Sequence, residues 1–163
     1  MFTREFDLIR IEDILATAKV ARSTFYQHYR SKDDVLCAVM GVHILEPLAR
    51  AGLDREASPE LLMVAGHVWE NRPLARQIFW GSTRTAIVRN LAGQIERVLD
   101  GVQPASGLPV PYVASTVAHW QIAMLEEWLL GRHRFDPAQW AQALTRGTRS
   151  LTTALTGIEG DRP

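Results

Sequence analysis

Residues 20–36 read Val20-Ala21-Arg22-Ser23-Thr24-Phe25-Tyr26-Gln27-His28-Tyr29-Arg30-Ser31-Lys32-Asp33-Asp34-Val35-Leu36, and the way they pattern decides how the rest of the chain is read. Phe25 and Tyr29 stand four residues apart, the spacing that puts two rings on one side of a helix. Arg22, Ser23, Thr24, Tyr26, Gln27 and His28 project away from that stripe, and every one of them can donate a hydrogen bond. Just upstream, Ile11, Ile14, Leu15 and Ala18 give a short amphipathic helix, with Val20 in a tight connection. Two short helices joined by a turn of about three residues form the helix-turn-helix plan, whose second helix enters the major groove of duplex DNA. Between Lys19 and Lys32 stand Lys19, Arg22, Arg30 and Lys32 and no acid. In a chain whose 18 Lys and Arg balance 18 Asp and Glu, this is a local positive patch rather than a basic coat. A merely solvated helix face has the same composition, so amphipathicity alone leaves both uses of this face open.

Outward from this stretch the punctuation is helical. There is no alternating β-branched run, no hairpin dipeptide and no fixed-period repeat. Ser31 ahead of Asp33 and Asp34 reads as an N-cap with acids in the first turn. Ser58-Pro59 and Asp136-Pro137 each set a capping side chain before a proline at the first helical position. Asn71-Arg72-Pro73 ends one helix and starts the next. The stretch 101–111, rich in glycine and proline, reads as a loop. The predicted helices are 11–18, 22–29, 32–50, 59–71, 74–80, 82–100, 112–131 and 137–155, an all-α chain. Ile87, Leu91, Ile95 and Val98 share one face, as do Trp140, Leu144, Leu151 and Leu155. Helix 112–131 is apolar on two sides, with Val113, Val117, Trp120, Met124 and Trp128 on one and Ala114, Ala118, Leu125 and Leu129 on the other. Such a helix needs cover twice, which predicts core on one side and a second subunit on the other.

Several function classes are disfavoured. No stretch reaches the roughly 20 apolar residues of a membrane span, and residues 1–16 lack the continuous apolar run of a signal peptide. Cys37 is the single cysteine, so no internal disulfide and no thiolate zinc site can form. A cytoplasmic protein is expected. The sequence has no HExxH, GxSxG, P-loop or GxGxxG, and no glutamate followed by histidine three residues later. His67 and Glu70 lie one turn apart, but two groups do not make a metal site. The expectation is a protein without catalytic residues, metal or cofactor.

The quoted stretch, preceded by Glu12-Asp13-Ile14, closely resembles the signature of the TetR family of bacterial transcriptional regulators. The match covers about 27 residues; the remainder matches in plan, with further helices ending in two long ones. The resemblance implies a helix-turn-helix DNA-binding domain over residues 1–36 and a helical ligand-binding and dimerisation domain over 37–163. It implies a homodimer on a two-fold symmetric DNA operator, released by a small-molecule effector, with repression as the usual output. Carried over by position, Arg22, Ser23 and Gln27 resemble the residues that reach base edges. Thr24, Tyr26 and His28 look like backbone or groove-wall contacts. Lys32 is similar to the family's phosphate-binding lysine at a helix N-terminus, and Arg10 would be a further backbone contact. Phe25 and Tyr29 are expected in the core.

The family's last two helices pair across the dimer, which places the interface at Val113, Val117, Leu125, Trp128, Trp140, Leu144 and Leu151. Aromatic, soft or polar residues on apolar faces are the pocket candidates: Met40, His43, Met63, His67, Trp69, Phe79, Trp80, Arg84, His119, Trp120 and Met124. Each fits a plain core or surface role equally well. Glu126 and Glu127 could face a cationic ligand or water.

Three departures from the family stand out. Lys19 occupies the turn position where the family has glycine, and Ala21 the position where it often has a capping serine or threonine. Only Met1 to Asp7 stand where the family has a full helix and a basic arm, with Met1-Phe2 resembling that helix's tail. The true N-terminus is expected upstream of Met1, since a motif without that support would expose Ile11, Ile14 and Phe25. The rival expectation is a helical ligand-binding or dimerisation protein that does not bind DNA.

Overall fold

A computed structural model describes residues 8–132 and 135–157; Met1 to Asp7, on which the truncation expectation rests, lie outside the described residues. Within these limits the chain is helical, without strands, and runs α1 (Ile11–Ala18), α2 (Arg22–His28), α3 (Lys32–Met40), a π-helical turn (Gly41–Leu45), α4 (Glu46–Arg50), α5 (Pro59–Glu70), α6 (Arg72–Trp80), α7 (Arg84–Val98), α8 (Val110–Leu129) and α9 (Pro137–Thr156). The expected boundaries hold to within about two residues, the usual ambiguity of helix ends.

The starts follow from local chemistry. The Ser31 hydroxyl accepts from the Asp34 amide at 3.1 Å, and Ser58 accepts from Leu61 at 3.1 Å. Asp136 and Gln139 close a reciprocal box at 2.8 and 2.9 Å. At the joint between α5 and α6, Asn71 caps both helices and Pro73 sits in the first turn of α6, where its missing N–H is harmless. The predicted single helix over 32–50 is continuous but carries the π-helical turn at its centre. From Lys32 to Arg50 it forms a rod about 28 Å long at 1.5 Å per residue. The boundary expected after Leu36 therefore falls inside a helix, and α3 buries Cys37 and Met40 in the same core as the later elements. Burial pushes the Cys37 thiol up to about 11, with Asp33 and Asp34 adding to the effect, so it stays protonated near neutral pH.

α8 is the central helix. It packs on α6, α7 and α9, and buries Val113, Ala114, Val117, Ala118, Gln121, Ile122, Leu125, Trp128 and Leu129. Both of its apolar sides are thus covered by its own chain, which corrects the expectation that one would await a second subunit. The same holds for the residues assigned to a dimer interface. Val113, Val117, Leu125, Trp128, Trp140 and Leu144 are at most 2% exposed within one protomer, and Leu151 is half-buried against the same core. A side chain already enclosed by its own helices has no surface to offer a partner.

The heaviest packing unit is a column of rings. Trp128 is stacked between Trp69 and Trp140, with centroids 4.8 and 4.7 Å away and planes within 15°. The Arg72 guanidinium lies 4.0 Å from the Trp69 ring centroid, at the end of the column. The indole N–H of Trp128 donates to the Phe135 carbonyl at 3.2 Å, so the buried ring carries no unmet donor. The column joins α5, α8 and α9. Trp128→Ala is expected to lower unfolding stability by about 3–5 kcal/mol, read by urea denaturation; a loss below about 1 kcal/mol would show that the column is not a principal tie.

Candidate nucleic-acid interface

α1 and α2 are joined by the three residues Lys19, Val20 and Ala21. Lys19 closes α1 in the left-handed region, φ 54° and ψ 41°, and it is the one non-glycine residue with positive φ among the described residues. The Val20 amide then donates to the Leu15 carbonyl at 3.1 Å, a wrap that satisfies one of the helix's last carbonyls. Turn geometry, not side-chain chemistry, dictates this backbone, which is why glycine suits the position and lysine strains it. Ala21 is the N-cap of α2 and offers no side-chain hydrogen bond to the helix.

α2 rests on one residue. Phe25 is 6% exposed, whereas Arg22, Ser23, Thr24, Tyr26, Gln27 and His28 are all exposed. Phe25 meets Tyr26 edge-on at 5.3 Å and Tyr29 at 5.7 Å, and Tyr29 is half-buried. The two inward rings expected from the four-residue spacing are therefore both drawn in, Phe25 fully. Ile11, Ile14 and Leu15 are half-buried, Ala18 is exposed, and α1 buries none of its residues completely. The seven-residue α2 is about 10 Å long, a length that fits across a major groove about 12 Å wide.

The connection from α2 to α3 is locked by Asp34, whose carboxylate accepts from the Arg30 amide at 2.8 Å and the Ser31 amide at 3.2 Å. This fixes the first turn of α3, and hence half-buried Lys32, relative to α2. Arg10, exposed, is the N-cap of α1, and its amide donates to Asp13 at 3.1 Å. The structure thus brings Arg22, Ser23, Thr24, Tyr26, Gln27 and His28 onto one exposed helix, with Arg10 and Lys32 opening the helices on either side. Sequence reasoning missed one partner. Arg22 pairs with Glu12 of α1 at 3.4 Å and lies 5.9 Å from the Tyr26 ring centroid. Both ends of the ion pair are well exposed, so it is readily exchanged for another anion.

The pocket candidates do not gather as a set. Met40 and Phe79 are core, at 5% and 2% exposure, while His43, Met63, His67, Trp80 and His119 are exposed. Trp69 is built into the ring column. Trp120 lies over Gly147, where a Cβ would come within 2.2 Å of its ring, and half-buried Met124 lends its carbonyl to the Trp140 indole at 3.5 Å. Arg84 is held by Glu126, with Nε to Oε1 at 2.5 Å and Nη2 to Oε2 at 3.2 Å, and this hydrogen bond raises its pKa above the usual value. Glu126 therefore serves Arg84 rather than a ligand. Helical periodicity marks which side of a helix is apolar, but not whether its neighbour fills that side.

Among the described residues no group of three or more His, Cys, Asp or Glu is placed to hold a metal ion, and no helix is long and apolar enough to cross a membrane. Comparison of the chain with protein-family models, curated proteins and solved structures finds no match.

Two substitutions test the turn. Lys19→Gly and Ala21→Ser are each expected to stabilise the α1–α2 pair by about 1 kcal/mol, seen as slower amide exchange across residues 11–28. Unchanged exchange in both variants would mean that opening of this pair is governed elsewhere.

Proposed function

We propose that the chain is a TetR-like transcriptional regulator that reads double-stranded DNA with α2, binds a two-fold symmetric operator as a homodimer, and is released by a small-molecule effector, with repression as its output. The observation that carries this reading is the exposure of α2: six polar donors face solvent and a single ring anchors the helix. A helix selected only to close a core would bury more and display less. The residue pattern over 20–36 supports the same reading through its resemblance to that family. Gln27 and Arg22 carry the groups suited to bidentate pairing with base edges, Gln with adenine and Arg with guanine. Lys32 suits a phosphate, where the N-terminus of α3 adds its dipole.

In this scheme Arg22 exchanges Glu12 for DNA. Glu12 holds the guanidinium near α1 in the free protein and repels phosphate, a simple brake on non-specific binding. The alternative, a helical ligand-binding or dimerisation protein without DNA affinity, draws on the absence of any fully buried residue in α1, which leaves the reading head lightly held.

Selection from a random duplex library, followed by fluorescence polarisation at graded salt, separates the two. An enriched sequence with inverted repeats is expected. Gln27→Ala or Arg22→Ala should then lower affinity for that sequence by about 1–3 kcal/mol and change non-specific binding much less. Lys32→Ala should weaken all duplexes alike and reduce the salt slope by about one. Equal losses on every sequence would refute the base-contact assignment, and no enrichment would sink the regulator reading.

A further inference from the structure

A cleft of about 440 Å³ lies between α4, the loop 51–58, the start of α5 and the middle of α9. It contains none of the residues that sequence reasoning proposed for a ligand. Its walls carry Glu46, Asp54, Glu56 and Glu60 against the single guanidinium of Arg50, and its exposed apolar lining includes Val42 and Leu53. On the α9 side stands Thr145, which is 1% exposed and whose Oγ1 has no hydrogen-bond partner. A buried hydroxyl without a partner is costly and needs an explanation.

The loop that forms one wall is pinned to α9 on both sides of Thr145. The Ala57 amide donates to Gln142 Oε1 at 3.0 Å, and the Gln142 amide donates back to the Arg55 carbonyl at 3.4 Å. Gly52, at φ +89°, lies so close to α9 that a Cβ would come within 2.7 Å of the Arg149 amide nitrogen. The cleft is thus a built feature, held open over Thr145 by a stapled loop, and not a gap between mobile side chains.

We propose that this cleft binds an organic cation with an apolar body. Its size lies within the range of small-molecule sites. Four carboxylates against one guanidinium favour a positive ligand, and their placement around the walls, without metal-ligand convergence, suits charges spread along a molecule rather than one ion. Val42 and Leu53, both more than half exposed, take the apolar segment, and an ammonium N–H supplies the donor that Thr145 Oγ1 lacks. The site is separate from the DNA-reading helix, so its occupancy is measured on the protein alone and stands or falls independently of DNA binding.

The test is calorimetric titration of the whole chain with 1,8-diaminooctane, and with 1,8-octanediol as the neutral counterpart. Saturable one-to-one binding of the diamine, weakened by salt, and no binding of the diol are expected. Thr145→Val should lower diamine affinity about tenfold while leaving the thermal midpoint unchanged or raised, because it removes an unsatisfied polar group. Thr145→Ser should keep the affinity. The surface pair Glu46→Gln with Glu60→Gln, which leaves the core untouched, should also weaken binding about tenfold. Equal binding of the diol, unsaturable binding of the diamine, or wild-type affinity in Thr145→Val and in the double variant would each overturn the proposal.

Discussion

The fold depends on the stacking of Trp128 between Trp69 and Trp140. Three large rings from α5, α8 and α9 fix the spacing of those helices. Such rings bury more area than any other side chains, and offset stacking adds directional preference to that burial. With α8 held at the centre, α6 and α7 pack on its remaining sides. Arg76 then closes the end of α8 by donating from its guanidinium to the Leu129 carbonyl, so a helix terminus that would otherwise carry unmet carbonyls is satisfied from α6.

One polar residue inside this frame sets the position of α4. Gln121, fully enclosed on α8, donates to the Leu48 carbonyl at 2.9 Å and to Thr148 Oγ1 at 3.0 Å. A buried amide bonds only in a narrow geometry, so it fixes α4 and α9 relative to α8 more strictly than apolar contact would. Gln94 does the same for the π-helical turn, donating to the Gly41 carbonyl at 3.3 Å. The rod from Lys32 to Arg50 is thereby tied to the core along its C-terminal half, while its N-terminal end carries the Asp34 cap on which α2 is positioned. The proposed cation cleft borders this rod at Glu46, Pro47 and Arg50.

The contrast between the two ends of the molecule has a physical basis. The frame around α8 encloses residues at 0% exposure on nearly every turn, and such a region opens only with global unfolding. The α1–α2 pair has Phe25 as its fully buried residue, a strained lysine at its turn and an alanine at its cap. It spends its side chains on the exposed face instead of the interior. In the proposed reading those outward donors serve recognition, since every donor turned inward is one fewer for a charged partner.

Much of this was legible in the residues. Capping pairs such as Ser31 with Asp34 and Asp136 with Gln139 act within four residues, so the order and ends of the helices follow from local chemistry alone. The same is true of the inward Phe25 beside outward Arg22, Gln27 and His28, because a helix face is a matter of spacing, whereas the turn at Lys19 was marked only by the resemblance and its left-handed backbone only by the structure. Which apolar face meets which neighbour is not local. Val113, Leu125 and Trp128 read as surface for a second copy, yet α7 and α9 of the same chain cover them. Arg84 and Trp120 read as a pocket lining, yet Glu126, 42 residues away, and Gly147 occupy them. The cleft over Thr145 left no trace in the sequence, because its walls come from segments about a hundred residues apart and its mark is a bond that is missing. The sequence by itself determined the helices and the polarity of their faces, which depend on neighbours within a turn. Only the tertiary structure decided what those faces touch, because burial and hydrogen-bond satisfaction are set by residues far away in the chain.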